Sequence, residues 1–123
     1  MKVFLTGGSG YIGRATIAEL VRAGHTVEAL ARSDRAEAAV AAAGATAVRG
    51  GLTDLDVLAG AAGRAEAVIH LAQAATGEED LAAATAMSGG GTYVHTGGTW
   101  VYGDTGGLQY SSGASFVSIS DML

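Results

Sequence analysis

Hydrophobic and polar positions along this chain switch repeatedly between two periods. Val3-Phe4-Leu5 is a short apolar run ending at Thr6, before a glycine cluster, and predicts a buried strand. From Tyr11 onward Ile12, Ile17, Leu20 and Val21 recur at helical spacing. Arg14, Glu19 and Arg22 take the other face, and Gly24 is a stop. Residues 26–31 predict a second strand. Asp34 with Glu37 three positions on predicts a capped start to an Ala-rich, weakly amphipathic helix reaching Ala43. The unit then repeats. Residues 46–49 predict a third strand, and Thr53-Asp54-Leu55-Asp56 predicts the cap of a third helix with Leu55, Leu58 and Ala62 inward. Residues 67–71 predict a fourth strand. Thr76-Gly77-Glu78-Glu79 opens a fourth helix running to Met87, and residues 92–96 predict a fifth strand.

Regular alternation of strand and helix implies an α/β fold: a doubly wound, parallel, five-stranded sheet with helices on both faces. The nearly continuous apolar runs Val3-Phe4-Leu5 and Val68-Ile69-His70-Leu71 suit strands buried on both sides. After Thr96 the helical pattern stops. Thr99-Trp100-Val101-Tyr102 and Leu108-Gln109-Tyr110-Ser111 flank a Gly-rich loop, which predicts a hairpin, and residues 115–120 predict one more strand. The expected organisation is one domain: residues 1–98 bind the ligand and residues 99–123 form a short β-rich C-terminal tail.

Composition narrows the chemistry. The chain has 123 residues, of which 26 are Ala and 20 are Gly, so its interior is lean in large side chains. The absence of Cys excludes disulfides, thiolate metal sites and thiol nucleophiles. His25, His70 and His95 show no metal-ligand spacing such as H-x-x-x-H, and no metal site is expected. Residues 1–64 hold all seven basic and six acidic side chains, whereas residues 65–123 hold six acidic and no basic ones. That balance argues against nucleic acid as a partner, and any charged anion site must draw on the first half. No apolar run approaches membrane-spanning length and no signal-peptide pattern is present, so a cytoplasmic setting away from membranes is expected.

The sharpest motif is Thr6-Gly7-Gly8-Ser9-Gly10-Tyr11-Ile12-Gly13, a G-x-x-G-x-x-G loop between the first strand and first helix. In that context Gly7 makes the tight turn. Gly10 lets backbone N–H groups approach a pyrophosphate, and Gly13 lets helix and strand pack closely. The helix N-terminus adds a positive dipole end behind Ser9, Tyr11 and Ile12. About 20 residues on, where an NAD site usually carries an acid, the second strand ends in Arg32. Arg32 and Arg35, with the Ser33 hydroxyl, are candidates to hold a 2′-phosphate through charge-assisted hydrogen bonds. The competing reading makes this stretch a solvated helix start; Asp34 facing the ribose would weaken any preference for NADP over NAD.

These residues carry a family resemblance. Residues 1–48 resemble the N-terminal half-fold of extended and atypical short-chain dehydrogenases/reductases, the NAD(P)-dependent epimerase/dehydratase group. Thr6 to Gly13 is similar to that family's T-G-x-x-G-x-x-G. Val68-Ile69-His70-Leu71-Ala72 is similar to its fourth-strand V-I-H-L-A, which implies that Leu71 and Ala72 pack on the adenine ribose and pyrophosphate. The stretch from Tyr93 to Asp104 is similar to its fifth strand and trailing V-Y-G-D. The resemblance covers roughly residues 1–105 and implies a Rossmann fold and a dinucleotide ligand. Arg49-Gly50-Gly51-Leu52-Thr53 keeps the shape of the family's adenine stretch, which adds Leu52 to the candidate site, but Gly51 stands where the family has an Asp.

The departures concern catalysis. The resemblance implies a Tyr general acid/base with a Lys four residues later, the ammonium lowering the phenol pKa. The single lysine, Lys2, opens the first strand, about 13 Å from its carboxyl end at ~3.3 Å per residue. Tyr110 is followed four positions later by Ala114, and Gly98 stands where the family places its Ser/Thr. Catalytic residues are therefore unknown. The chain has about half the family's length, which reads as a truncation lacking the substrate domain, or as a short relic with a repurposed tail. Two readings stay open: an NADP(H)-binding domain of an oxidoreductase lineage, and a non-catalytic dinucleotide-binding or assembly module. His70 reads as a satisfied core histidine, and His95 admits either a site role or a structural one. The apolar tail and uncovered sheet edge lead to the expectation of a homo-oligomer, with a dimer as the simplest form.

Overall fold

In the computed structural model the described residues are 1–89 and 91–96. The expected tail hairpin and sixth strand lie outside them. The described elements run β1 (Lys2–Thr6), α1 (Tyr11–Arg22), β2 (Thr26–Ala31), α2 (Asp34–Ala43), β3 (Thr46–Arg49), α3 (Leu55–Arg64), β4 (Ala67–His70), α4 (Gly77–Met87) and β5 (Thr92–His95). All strand pairings are parallel and the sheet order is β3-β2-β1-β4-β5. The fold is the expected α/β Rossmann-type sheet. The order in which strands are added reverses between β1 and β4, and in open sheets of this kind ligands bind outside the carboxyl ends of the strands at that switch point.

Strand alternation divides the core into two layers. Val3, Leu5, Val27, Ala29, Ala31 and Ile69 pack with Ile17 of α1 and Val40 of α2 on one face. Phe4, Leu30 and Val68 pack with Leu58, Ala61 and Ala62 of α3 and Ala83 and Met87 of α4 on the other. The central strands β1 and β4 are buried almost throughout, as their continuous apolar runs require, whereas edge strand β3 is only partly covered. Small Ala side chains in α3 and α4 allow the two helices to lie close on the sheet.

Several local expectations need correction. The cap of α2 is Ser33, not Asp34: the extended Ser33 backbone lets its hydroxyl accept from Ala36 N at 3.1 Å, and Asp34 becomes the first helical residue. Asp54 does precede α3, but its carboxylate turns back to accept from Gly51 N at 2.7 Å. Leu55 is exposed, not inward, because Leu58, Ala61 and Ala62 form the face that meets the sheet. In α1 the buried residues are Gly13 and Ile17, while Ile12 and Val21 are exposed. One residue before Gly13, Ile12 is rotated about 100° away from the sheet. Strand β4 ends at His70, not Leu71. Leu71 N still bonds Thr6 O at 3.2 Å, but Ala72 N turns to the Thr6 side chain, and the chain leaves the ladder.

Candidate functional site

A crevice of about 530 Å³ lies outside the carboxyl ends of β1, β2 and β4. Of the residues selected from sequence, Gly7, Ser9, Gly10, Arg32, Leu52, Leu71 and Ala72 line it. Tyr11, Ile12, Gly13, Ser33 and Arg35 do not. Gly13 is buried beneath the loop, and Tyr11 and Ile12 stand exposed on the first turn of α1. Sequence reasoning did not select Gly50, Thr53, Glu79 or the run Gln73-Ala74-Ala75 that completes the wall. The last of these follows directly from the V-I-H-L-A stretch, so its position after β4 was the available signal.

The three motif glycines have separable jobs. Gly7 has φ +78°, and a Cβ there would meet Ala72 N at 2.7 Å and Leu71 C at 2.8 Å, so the turn must run against the end of β4. A Cβ on Gly13 would collide with Gly7 O and come within 2.7 Å of Gly7 C, so the helix must press on the loop. Gly10 is different. It has φ −78°, and a Cβ would meet nothing closer than Gly7 O at 3.5 Å. Neither its conformation nor the protein's own packing requires glycine there. Space above Gly10, on the crevice wall, is what an approaching ligand needs.

The helix behind the loop has unspent donors. Gly10 caps α1 without a side-chain hydrogen bond, and α1 has no acid in its first turn. The other described helices all carry first-turn acids: Asp34 and Glu37 in α2, Asp56 in α3, and Glu78, Glu79 and Asp80 in α4. The N–H groups of Tyr11, Ile12 and Gly13 therefore offer partial positive charge with no carboxylate to quench it, which suits a phosphate.

At the other end of the crevice, Arg32 follows β2 and lines the wall. The neighbouring acid is drawn off: Asp34 Oδ1 accepts from Arg49 Nη1 of β3 at 2.8 Å, and Glu37 binds the same nitrogen at 3.0 Å. The Asp34 bond, then Glu37, raises the Arg49 pKa above its ordinary value. Among the described residues neither Arg32 nor Arg35 enters an ion pair. The Ser33 oxygen is already used as the α2 cap, which leaves its O–H free to donate.

Thr6 ties the loop to β4. Its Oγ1 accepts from Ala72 N at 3.2 Å and shares a 2.6 Å hydrogen bond with His70 Nδ1; both side chains are buried. His70 is thus hydrogen-bonded inside the core, as expected, and its Nε2 continues to Asp80 Oδ1 at 2.8 Å. Lys2 sits at the amino end of β1 in a 2.6 Å ion pair with Glu28, at the far end of the strand from Gly7.

The sequence model described as the NAD dependent epimerase/dehydratase family matches residues 3–88. The chain belongs to that family. The match spans every described element except β5, and so includes the glycine loop, the Arg32 turn and the end of β4. Among curated proteins, the chain is 48% identical over 73 residues to the uncharacterized protein YLL056C of Saccharomyces cerevisiae, covering 58% of this chain and 24% of that protein. It is 43% identical over 70 residues to a decarboxylating sterol-4-alpha-carboxylate 3-dehydrogenase of Dictyostelium discoideum, covering 57% of this chain and 21% of that one. The matched segment thus spans under a quarter of the length of either relative. Among solved structures, a short-chain dehydrogenase/reductase superfamily protein from Agrobacterium tumefaciens with bound NAD superposes with a TM-score of 0.64 at 24% identity, covering 84% of this chain and 34% of that one. That likeness supports the same fold. The family member described here therefore carries an NAD(P)-binding Rossmann-type domain. No described helix is long and apolar enough to cross a membrane.

Proposed function

We propose that this domain binds NADP(H) in preference to NAD(H), with the pyrophosphate on the Gly7–Gly13 loop and the adenosine 2′-phosphate on Arg32. The observation that carries the preference is the pairing of Asp34 with Arg49. It engages the carboxylate beside Arg32 in an ion pair with β3, while Arg32 lines the crevice wall with no ion-pair partner among the described residues. Arg35 and the Ser33 hydroxyl are close in sequence to supply further donors. Leu52, Leu71 and Ala72 contribute apolar wall for the adenosine half. When bound, the nicotinamide supplies hydride transfer, the chemistry that the family's oxidoreductases use.

Within these 123 residues the nucleotide is held rather than turned over. Lys2, the sole lysine, is committed to Glu28 at the wrong end of β1 to support a catalytic tyrosine. The same reading covers a dinucleotide-sensing module as well as the binding half of a larger oxidoreductase, and self-association through the apolar segment 99–123 accompanies it.

The test is titration of NADP+ and NAD+ into wild type and Arg32→Ala. Charge-assisted hydrogen bonds contribute about 1.5–3 kcal/mol each, so wild type should favour NADP+ by ~10- to 150-fold. Arg32→Ala should lose that ratio and leave NAD+ affinity near wild type. Equal affinities in wild type, or an equal loss for both nucleotides in the variant, would overturn the preference.

A further inference from the structure

One cluster is not used by the nucleotide reading. Thr6, His70 and His95 are register partners across β1, β4 and β5, so their side chains leave the same face of the sheet. Asp80, in the first turn of α4, lies over that row. His70 Nε2 is 2.8 Å from Asp80 Oδ1, and His95 Nε2 is 3.7 Å from Asp80 Oδ2. The ring centroids are 4.9 Å apart, and one donor atom from each of the three residues falls within 4.8 Å of the others.

Both rings are held from behind by a hydroxyl. Thr6 Oγ1 engages His70 Nδ1 at 2.6 Å, and Tyr93 OH engages His95 Nδ1 at 3.1 Å. That leaves both Nε2 atoms aimed at one carboxylate. Such outer hydrogen bonds are what fix the ring orientation of metal-binding histidines. A plain hydrogen-bond network accounts for the His70 contact. It does not account for His95, whose Nε2 at 3.7 Å is beyond hydrogen-bonding distance from the oxygen it faces. Donors bound at about 2.1 Å to a tetrahedral ion sit ~3.4 Å apart; the two Asp80 separations of 2.8 and 3.7 Å bracket that value, and the group as a whole, within 4.8 Å, must tighten to hold an ion. Two imidazoles and one carboxylate select late first-row divalent ions over Mg2+ and Ca2+, which prefer all-oxygen sets.

We propose that His70 Nε2, the Asp80 carboxylate and His95 Nε2 form a three-ligand site for a divalent transition-metal ion, Zn2+ foremost, with a fourth position open. Linear spacing hid it, because β4, α4 and β5 each contribute one ligand. His70 is fixed in the core and Asp80 is two-thirds covered, while His95 is more exposed and closes the site by a side-chain rotation. The chain has no Cys, and its one other histidine, His25, bonds the Met1 amine at the amino ends of the strands.

The experiment uses the untagged full chain carrying His25→Ala, stripped with chelator, and needs no nucleotide. Zn2+ is titrated calorimetrically, and Co2+ serves as a visible-absorption probe of four-coordination. The expected result is one Zn2+ per chain, intense Co2+ bands, and a higher thermal midpoint with Zn2+. His95→Ala and Asp80→Asn should each weaken binding by about tenfold or more and abolish the Co2+ bands. His95→Ala removes a partly exposed ring and Asp80→Asn keeps a hydrogen-bonding partner for His70, and circular dichroism verifies that both stay folded. No saturable Zn2+ uptake by the parent, or uptake unchanged in both variants, overturns the site.

Discussion

Replacing Gly10 by Val separates the ligand cradle from the fold. At Gly10 the backbone has φ −78° and ψ 175°, an extended conformation that valine adopts without strain, and the new Cβ meets only Gly7 O at 3.5 Å. Two small terms act on the free protein. Loss of a glycine N-cap costs about 0.5–1 kcal/mol, and reduced freedom of the unfolded chain returns about 0.4–1 kcal/mol. Stability should thus stay within about 1 kcal/mol of wild type. Binding should not survive, because the added methyl groups occupy the crevice wall that a pyrophosphate must touch to reach the Tyr11, Ile12 and Gly13 N–H groups. Losing two charge-assisted bonds of about 1.5–3 kcal/mol each amounts to ~150-fold or more in affinity. The assay is a fluorescence or calorimetric titration of NADP+ alongside thermal denaturation. Gly13→Ala is the contrasting variant: its Cβ collides with Gly7 O, so it should lower the thermal midpoint sharply whether or not nucleotide is present. Near-wild-type nucleotide affinity in Gly10→Val would refute the cradle. A wild-type midpoint in Gly13→Ala would refute the packing argument.

Two further outcomes follow from the hydrogen bonds and ion pairs. Thr6→Val removes the hydroxyl that serves both Ala72 N and His70 Nδ1 in a buried site, and should cost about 2 kcal/mol in urea denaturation; an unchanged midpoint would show that Thr6 is not the tie between β1 and β4. The Lys2 hydrogen bond, aided by Arg64 and opposed by burial, holds the Glu28 carboxyl below its usual value. A depressed carboxyl contributes stability above its unfolded pKa and loses it as pH falls through the folded value. Lys2 is partly exposed, so screening keeps the contribution to about 1 kcal/mol. Glu28→Gln should therefore be less stable than wild type at neutral pH and converge with it in acid; a difference that persists unchanged below about pH 3 would contradict the ion-pair account.

Much of this protein is written locally. The Thr76 cap, whose hydroxyl accepts from Glu79 N three residues on, is decided within one helical turn, and so it was legible without the fold. The same holds for the bounds of β2 and β3 and for the glycine loop, whose meaning depends only on the strand before it and the helix after it. Two-state periodicity also sorted the strands from the helices, because pleat and helical pitch act over a few residues.

What escaped the linear reading is non-local. Ser33 rather than Asp34 caps α2, its hydroxyl accepting from Ala36 N, and Asp34 pairs instead with Arg49, fifteen residues away on β3. Leu55 and Ile12 read as core by spacing, yet they stand exposed, since only docking on the sheet decides which part of an apolar stripe is covered. The order β3-β2-β1-β4-β5 brings Thr6 beside His70 across 64 positions, and His70 beside His95, and sets Asp80 over both. Composition and periodicity carry no information about strand order. It emerges from burying two apolar faces at once under right-handed connections, and with it come the crevice at β1 and β4 and the histidine pair.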